Sequence, residues 1–507
     1  MTTDKTSLKR RALLGGLAAA PVLSTLPVSA AAARSDVKSW YASVDVVVVG
    51  SGVAGTSAAI AAGRDGARVL VLESLAKLGG SSAMSGGVVY AGGGTALQKA
   101  CGIEDSVDAM RAYILAASGL YAQRDKVDLY CEQSPEHFDW LVQQGVHYEA
   151  SFTNEKGLPG TTDSLYYSGS EQVHEFAQSI KPAPRGHVPG FKGWTGGRSL
   201  MEALIPSARR AGAKYLTGVN CERLIVESDG RVAGVTVQMD GETRHIRAKR
   251  GVILAAGGFI HNREMLSVYA PELAQCSVPW GNMGDQGMGI RMGMSVGGTA
   301  AQMHHGFAIM PLYLPDHVLK GIVVNERGQR FIGEDAYHAF LGHEIAFHQK
   351  GRAWLITDKT SQYGYDDYRV SEVARANSIQ ALEQKLGFAE NALKDSVDYY
   401  NHHARKGGDP LLNKAKAYLS PIAKAPFIAY DLSVDKAFFP AHTFGGLRTN
   451  TRSEVLDAWN EPIPGLYAAG RTTAGLPVAP YIASGISVGD GSFFGRIAGS
   501  NAAGARS

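Results

Sequence analysis

The chain has 507 residues, of which 45% are hydrophobic and 19% are charged, and its formal net charge is +3. This length predicts two domains, and the composition is globular, without a repeat or a low-complexity tract. The near-neutral charge argues against a basic surface for nucleic acid or for an anionic membrane. The four cysteines are widely spaced and form no C-x-x-C pair, so neither a zinc knuckle, a redox dithiol nor an attached c-type haem is expected.

The first 40 residues are predicted to be an export signal rather than part of the fold. Lys9-Arg10-Arg11 precedes an apolar run at about 12–26, and Val28-Ser29-Ala30 offers a small-x-small cleavage site. The paired arginines resemble a twin-arginine signal, which indicates a periplasmic or exported protein; a basic tail on a cytoplasmic enzyme is the alternative. The run is too short, and too interrupted by proline, for a transmembrane helix. We therefore expect a mature chain with almost no net charge and no integral membrane segment.

A glycine turn between a strand and a helix predicts a nucleotide cofactor. β-Branched residues at 44–49 lead into Gly50-Ser51-Gly52-Val53-Ala54-Gly55, and an alanine-rich helix follows. The first glycine permits a tight turn, the second lets the backbone approach a pyrophosphate, and the third lets helix and strand pack closely. Glu73 ends the next apolar strand, 18 residues after Gly55, and is expected to bind the ribose hydroxyls.

Three later segments are expected to contact the same cofactor, which favours FAD over NAD. A glycine- and serine-rich stretch at 77–87 follows Glu73, a buried strand at 250–259 ends in glycines, and a short strand at 465–471 precedes the last helix. Four separated segments imply a long ligand, and the lack of histidine in 79–87 predicts non-covalent FAD. The predicted cofactor contacts are Gly50, Ser51, Gly52, Ala54, Gly55, Glu73, Ser74, Gly80, Ser81, Ser82, Ser85, Gly86, Gly87, Ala256, Gly257, Gly470, Arg471, Ser484, Ile486 and Ser487.

The order of these segments resembles the flavoprotein family of fumarate reductases and succinate dehydrogenases, which also includes 3-ketosteroid dehydrogenases and urocanate reductase. The resemblance covers roughly residues 44–500. It implies an α/β fold with a discontinuous, Rossmann-like FAD-binding domain at 42–270 and 425–507. An inserted α+β capping domain would occupy 271–424, with the active site between the two. The segment Gly284-Asp285-Gln286-Gly287 matches a family turn near the cofactor, or it is a solvent-facing turn.

Two positions depart from the fumarate reductases. Beyond Arg330-Phe331, predicted as the strand that leaves a hairpin turn, those enzymes carry an arginine proton donor, whereas this chain has Tyr337 and His338. They also place a substrate-binding arginine near the position of Tyr481, and that arginine is missing too. A buried dicarboxylate would lack its cationic partners, so fumarate is an unfavourable substrate.

Tyr337 and Tyr481 resemble instead the tyrosine pair of the 3-ketosteroid dehydrogenases, particularly the delta-4-dehydrogenases. The implied reaction removes the α-proton of a ketone with a base while the flavin takes hydride from the β-carbon. We predict Tyr481 as the base and Tyr337 as its hydrogen-bond partner or as a donor to the ketone oxygen, and the roles could be exchanged. Hydrogen bonds and nearby dipoles would have to lower the pKa of the base from about 10. A purely structural role is the alternative for each tyrosine.

Ser484, Gly485 and His442 are the remaining predicted substrate contacts. The delta-4 family has a relay serine directly before the glycine of its Tyr-x-Ser-Gly motif, whereas the segment from Tyr481 to Gly485 is one residue longer. Ser484 is therefore either a relay or a flavin contact. His442 lies in a segment that matches the family's H-T-x-G-G pattern, and its neutral imidazole either donates to a ketone or orders the glycine turn. The pair His304-His305 is expected to have packing or surface roles.

The sequence thus predicts an FAD-dependent oxidoreductase that acts on a CH–CH bond next to a ketone, with a 3-ketosteroid as the leading substrate and a separate electron acceptor. One alternative is an exported flavin-dependent ene-reductase that uses a separate electron donor and acts on an activated alkene other than a dicarboxylate. The other is a flavin-containing binding or assembly protein without catalysis. No metal site and no nucleic-acid partner is predicted.

Overall fold

The computed structural model describes residues 31–154, 162–190, 196–310, 316–363 and 369–505. Its largest element is a nine-stranded mixed sheet. Seven of the strands follow, in spatial order, as Ala32–Ala33, Asn220–Val226, Val232–Met239, Glu242–Leu254, Ala42–Val49, Val69–Glu73 and Lys214–Thr217. The other two are Pro462–Ala468, which pairs with Glu242–Leu254, and Glu454–Leu456, which pairs with Pro462–Ala468.

The parallel part of this sheet determines where a ligand can bind. Ala42–Val49 lies between Val69–Glu73 and the second half of Glu242–Leu254, which in turn pairs with Pro462–Ala468, and all these pairs are parallel. Their valine- and leucine-rich sequences are buried on both faces, as is usual for parallel strands. The carboxyl ends of these strands therefore share one edge of the sheet, where ligands of open α/β sheets bind.

Helices pack against this sheet and also occur throughout the rest of the described chain. The first helix, Val53–Arg64, packs along the last helix, Ile486–Gly504, through glycines and alanines that allow close approach. The other α-helices are Ala96–Ala100, Val107–Ser118, Arg124–Gln143, His174–Ala177, Gly196–Arg210, Arg263–Tyr269, Met288–Met294, His338–His343, Ile379–Leu386 and Ala392–Ala404, and a π-helix covers Glu344–His348. No helix among the described residues has the length and apolar character needed to cross a membrane.

A second, smaller unit has its own antiparallel sheet and core. Its four strands follow the order Ile322–Val324, Trp354–Thr357, Phe427–Asp431 and Ser371–Ala376. Helices Ile379–Leu386 and Ala392–Ala404 bury Leu382 and Val397 against it. This unit lies within the predicted capping domain, but Phe427–Asp431 extends the sheet beyond the predicted boundary at residue 424, because that strand supplies the central pairing between its two neighbours.

Three small sheets complete the described structure. The first contains Val89–Tyr90, Gly186–His187, Leu165–Tyr166 and Phe152–Thr153. The second contains Val278–Pro279, Pro440–Thr443 and Gly306–Ala308, and the third pairs Ala300–Ala301 with Gly446–Leu447.

The amino-terminal boundary differs from the prediction. Residues 1–30, which contain the twin-arginine-like pattern and the cleavage site, lie outside the described residues, so export stays a prediction. Residues 31–40 are described, and Ala32–Ala33 pairs in parallel with Ile225 and Val226 at the edge of the large sheet. Val37 is buried, and the Arg34 guanidinium lies over the Trp40 ring. This part of the predicted signal segment 1–40 therefore belongs to the fold.

Candidate functional site

A cavity of about 510 Å³ follows the carboxyl edge of the large sheet. Glycine, alanine and serine backbone forms one end of its lining, and aromatic and histidine side chains form the other. The lining includes residues 49–54, 72–75, 80–82, 85–88, 219–222, 255–257, 282–286, 469–471, 484–485 and 487–488, together with Trp280, Phe307, Ile309, His338, His442 and Tyr481. The four predicted cofactor segments thus meet at one elongated site.

The glycine turn at 50–55 has the geometry that the sequence predicts. Gly50 has a φ of +103°, and a Cβ there would lie 2.3 Å from the Ala255 carbonyl oxygen. A Cβ on Gly55 would lie 2.0 Å from the Gly50 oxygen, so this glycine permits close helix–strand packing. Gly52 caps the first helix without a side-chain hydrogen bond and without an acidic residue in the first turn. The helix start therefore offers backbone N–H groups to an anion.

Two side chains fix this turn to neighbouring segments. Glu73 Oε2 accepts hydrogen bonds from the Ser51 backbone N–H at 3.1 Å and from its hydroxyl at 2.6 Å. The other carboxylate oxygen, Oε1, accepts from the Leu75 N–H at 3.0 Å. On the opposite side, Ser82 Oγ accepts from the Val53 N–H at 3.0 Å. Glu73 thus orders the turn as well as lining the cavity where we expect the ribose.

Asp285 connects three of the cavity segments. Its Oδ2 atom accepts hydrogen bonds from the Ser81 hydroxyl at 2.8 Å and from Arg471 Nη2 at 2.6 Å. The Asp285 side chain is 4% exposed and the Arg471 side chain 14%. A Cβ on Gly257 would lie 2.1 Å from Asp285 Oδ1, so the carboxylate sits directly against that strand end. Of the two interpretations of the 284–287 turn, the structure supports the one near the cofactor.

Breaking this pair is expected to destabilise the site. Asp285→Ala leaves the Arg471 guanidinium without its carboxylate in a mostly buried position, which should cost about 3 kcal/mol. We expect a clearly lower melting temperature for flavin release, measured by flavin fluorescence on heating. Glu104→Gln is the matched control, because its pair with Lys181 is exposed and should contribute nothing measurable. Equal melting temperatures for the two variants would contradict a stabilising role for Asp285.

Most predicted site residues line the cavity, and three do not. Gly55 packs against the strand behind the turn, Ile486 is fully buried, and Tyr337 lies outside the cavity lining. The sequence prediction missed the wall residues Asn220, Cys221, Glu222, Trp280, Asn282, Met283, Phe307, Ile309 and His338. His338 lies in a segment that the sequence analysis had already selected, whereas the 219–222 segment carries no recognisable motif.

The aromatic end of the cavity is formed mainly by uncharged groups. Phe307 stacks on the His442 imidazole with centroids 4.4 Å apart and 8° between the planes, and it meets Tyr481 edge-on at 5.0 Å. Burial lowers the pKa of His338 to about 3 and, together with nearby Arg471, lowers the pKa of His442 well below its usual range. Both imidazoles are therefore neutral near pH 7. His442 Nε2 has no hydrogen-bond partner among the described residues and is placed to interact with a polar ligand atom.

Tyr481 is held at the start of the last helix. Its ring packs against Phe444 at 5.1 Å, and its phenolic oxygen accepts the Ser487 backbone N–H at 3.2 Å. That N–H belongs to the first turn of Ile486–Gly504, where the helix dipole favours a negative charge. Burial nevertheless outweighs these hydrogen bonds and raises the pKa of Tyr481. These groups alone therefore do not meet the condition, named in the sequence analysis, that the pKa of a tyrosine base be lowered.

Tyr337 approaches the site through Ser484. The two hydroxyl oxygens are 2.7 Å apart, and the Tyr337 and Tyr481 ring centroids are 6.5 Å apart. Ser484 lines the cavity, whereas Tyr337 lies behind it and is 3% exposed. Despite the extra residue in its motif, Ser484 therefore connects the cavity with Tyr337. This arrangement favours Tyr481 over Tyr337 as the tyrosine that contacts a substrate.

The Arg330 segment has a structural role in the smaller unit. A turn at 325–330 is present as expected, but Arg330 makes a single bridge to Val324 rather than starting a strand. Its guanidinium binds Glu334 and Asp409 at 2.8 and 2.9 Å, and all three side chains are at most 2% exposed. The predicted strand is thus reduced to one bridge, and Arg330 instead belongs to a buried cluster of charges.

His304 is exposed and His305 is buried, in agreement with the surface and packing roles that the sequence predicted for this pair. The His305 ring meets Tyr121 edge-on at 4.3 Å, and its Nδ1 accepts the Ala479 N–H at 3.3 Å. It therefore supports the segment before Tyr481.

Several known proteins are similar to this chain over most of its length. The FAD binding domain family matches residues 45–487. The 3-oxo-5-alpha-steroid 4-dehydrogenase of Comamonas testosteroni is 31% identical over 89% of this chain and 96% of that protein. Urocanate reductase of Eggerthella lenta is 29% identical over 91% of this chain and 74% of that protein. The crystal structure of 3-ketosteroid-delta4-(5alpha)-dehydrogenase from Rhodococcus jostii with 4-androstene-3,17-dione is similar with a TM-score of 0.89 and 40% identity, covering 94% of this chain and 100% of that one.

Proposed function

The chain belongs to the FAD binding domain family, as an FAD-dependent oxidoreductase related to 3-oxosteroid dehydrogenases, and we propose that it desaturates a 3-ketosteroid between the α- and β-carbons of the ketone. The observation that carries the proposal is Tyr481, whose phenolic oxygen lies at a helix start and whose ring lines an otherwise largely apolar cavity end. The steroid relatives named above support the substrate class.

The residues of the cavity fit FAD. Gly52 leaves open space toward the cavity, since a Cβ there would meet nothing closer than Ser82 Oγ at 3.4 Å. Arg471 Nη1 is buried and has no hydrogen-bond partner among the described residues, so it can donate to a polar ligand. The helix start at Gly52 would hold the pyrophosphate, Glu73 the ribose, and the segments at 80–87 and 484–487 the isoalloxazine. Bound FAD supplies the hydride acceptor of the reaction.

The protein's own groups then have to remove one proton from the substrate. The phenolate of Tyr481 removes the α-proton, and its position at the helix start favours that charged form. The neutral His442 imidazole donates from Nε2 to the ketone oxygen and stabilises the negative charge that develops there. Phe307 and Phe444 enclose this end and exclude water, which strengthens both interactions.

The charges along the cavity argue against a dicarboxylate. Among the described residues that line it, Arg471 carries the single permanent positive charge, and Asp285 already pairs with it. A carboxylate at the aromatic end would therefore find only a guanidinium that Asp285 already neutralises, and its burial would cost several kcal/mol. A ketone needs only the hydrogen-bond donor that His442 provides.

The test is anaerobic reduction of the bound flavin by a panel of compounds. We expect 5α-3-ketosteroids with a saturated first ring to bleach the flavin absorbance, and succinate to leave it unchanged. Product analysis should show one new double bond next to the ketone. Bleaching by succinate alone would reject the proposal. If no saturated compound reduces the flavin, while the dithionite-reduced enzyme is reoxidised by a non-dicarboxylate activated alkene, the ene-reductase alternative is correct. Flavin that exchanges electrons with none of these compounds would support a binding protein.

A further inference from the structure

The segment at 474–479, which leads towards Tyr481, is buried along its whole length yet belongs to no helix or strand. The backbone N–H and C=O groups of such a segment have to bond to other parts of the protein, because water does not reach them. Side chains from outside the segment supply four of these partners, namely Gln123, Lys126, His305 and Asp490. Since Tyr481 follows at the second residue after the segment, its position depends on the path that these bonds set.

Two of these partners carry opposite charges and bind neighbouring peptide groups of the segment. Lys126 Nζ donates to the Ala474 carbonyl at 3.2 Å, and Asp490 Oδ1 accepts the Leu476 N–H at 2.9 Å. Both charged residues are only 2% exposed. A Cβ on Gly475 would lie 2.5 and 2.6 Å from the two Asp490 carboxylate oxygens, so the carboxylate packs directly against this glycine.

Each of the two charges supports the ionised form of the other. Burial lowers the pKa of Lys126 to about 8, and the charge of Asp490 opposes this shift. Burial likewise raises the pKa of Asp490 to about 6, and both the Leu476 N–H and the charge of Lys126 oppose that shift. Both groups are therefore mainly ionised near pH 7. Because desolvation offsets much of the attraction between buried charges, stability of the fold alone does not account for this pair.

Asp490 belongs to the same helix that holds the phenolic oxygen of Tyr481. Ser487 and Asp490 are three residues, or about one turn, apart in Ile486–Gly504. The Ser487 N–H donates to the Tyr481 oxygen at 3.2 Å, while the Asp490 carboxylate binds Leu476, five residues before Tyr481. One helical turn thus fixes both the phenolic oxygen and the chain that delivers the ring.

We propose that Lys126 and Asp490 are positioning residues for the base: they hold the segment at 474–476 so that the Tyr481 oxygen stays at the start of the last helix. The inference rests on the proposed function, which makes Tyr481 the base. Neither charged residue is among the described residues that line the cavity, so both act through Tyr481. A displacement of about 1 Å at a reacting group can lower a rate about a hundredfold, so even a small shift of the segment is measurable.

The test removes each bond to the segment in turn. Asp490→Ala removes the acceptor of the Leu476 N–H, Asp490→Asn keeps an oxygen in its place, and Lys126→Met keeps most of the side-chain volume but no donor. In the purified holoenzymes, Asp490→Ala and Lys126→Met should lower the first-turnover rate of flavin reduction at saturating steroid about tenfold or more. The affinity for the steroid should change less than about twofold, because the cavity walls remain. Asp490→Asn should recover most of the lost rate.

Asp358→Ala is the matched control. Asp358 is also a buried aspartate, 2% exposed, and its carboxylate accepts the backbone N–H groups of Ala423 and Lys424 at 3.1 Å. It directly follows strand Trp354–Thr357 of the smaller unit. The control should lower the melting temperature without changing the rate of flavin reduction. A purely structural role of the charged pair would give the same pattern in all these variants and would overturn the proposal.

Two further results would also overturn it. The first is weaker steroid binding with an unchanged rate at saturation, which would mean that the pair shapes the substrate site. The second is an Asp490→Asn variant as slow as Asp490→Ala, which would exclude the hydrogen bond to Leu476 as the cause. If Asp490→Ala does not fold, Lys126→Met and Asp490→Asn decide between the same outcomes.

A spectroscopic readout tests the positioning role without any turnover. If wild-type flavin is reduced by no ketone, the proposed function is wrong, and the position of the Tyr481 ring decides the inference alone. With 3-fluorotyrosine incorporated at position 481, the fluorine NMR signal of the holoenzyme should shift in Asp490→Ala and Lys126→Met. The signal should keep its wild-type position in Asp358→Ala. An unshifted signal in Asp490→Ala and Lys126→Met would refute the positioning role.

Discussion

Tyr481→Phe is expected to keep the flavin bound and to lower turnover about a thousandfold. The substitution removes only the phenolic oxygen, and general base catalysis contributes a factor of this size. The ring contacts with Phe307 and Phe444, which position the side chain, remain. Stopped-flow reduction of the flavin by a saturated 3-ketosteroid measures the step directly, and the visible absorbance of the purified protein reports cofactor content.

Tyr400→Phe is the matched control for this variant. Tyr400 is also a buried tyrosine whose oxygen accepts a backbone N–H, from Ser420 at 3.4 Å, but it belongs to the core of the smaller unit. The flavin of the Tyr400→Phe variant should be reduced by the steroid at the wild-type rate. If Tyr481→Phe also does so, Tyr481 is not the base, and Tyr337 becomes the candidate through the exchange of roles that the sequence left open.

The raised pKa of Tyr481 gives the reaction a pH dependence with a definite sign. The phenolate is the active form of the base, and burial disfavours it more than the Ser487 N–H favours it. The rate of flavin reduction should therefore rise with pH through the neutral and alkaline range, because the ionised fraction grows. Tyr481→Phe should lose this dependence together with the activity.

The cofactor end of the site was predictable because its chemistry is local in sequence. A pyrophosphate needs a tight turn, a close backbone approach and a helix start, and Gly50, Gly52 and Gly55 provide these within six residues. The family and the cofactor that the sequence implied are confirmed by the match over residues 45–487. The order of strands and helices around the turn follows from the same rule, since parallel strands place their carboxyl ends together.

The aromatic end was less predictable because its partners are far apart in sequence. Tyr337 and Ser484 are separated by 147 positions, and Asp285 and Arg471 by 186, so only the fold shows that they bond. The direction in which the pKa of Tyr481 is shifted was not predictable for a related reason. The sequence indicated the helix start that lowers it, but not the burial against Phe307 and Phe444 that raises it. Likewise, nothing in the sequence at 32–33 distinguishes a strand from a signal segment, because the pairing with Ile225 and Val226 is non-local.

Gly52→Ala is expected to produce a folded protein that has lost most of its affinity for FAD. Gly52 has a φ of −65° and a ψ of −176°, a conformation that alanine adopts without strain. The new methyl group would meet Ser82 Oγ at 3.4 Å, which is an ordinary contact, and would otherwise project into the cavity. The fold is therefore unaffected, whereas the pyrophosphate can no longer approach the helix start. We expect a weakening of about a hundredfold, or about 3 kcal/mol, measured by titration of the FAD-depleted protein.

Gly66→Ala separates this effect from a general cost of replacing glycine. Gly66 has a φ of +81°, and no atom lies within 4 Å of the position that a methyl group would take, so alanine there strains the backbone and touches nothing. It should lower stability by about 1 kcal/mol and leave FAD affinity unchanged. The two variants are thus expected to show opposite patterns, one losing cofactor without losing stability and the other losing stability without losing cofactor. Wild-type FAD affinity in Gly52→Ala would mean that the pyrophosphate lies elsewhere along the cavity. A loss of FAD affinity without a loss of stability in Gly52→Ala requires a close approach of the phosphates to Gly52, because the substitution adds nothing but a methyl group on that side of the turn.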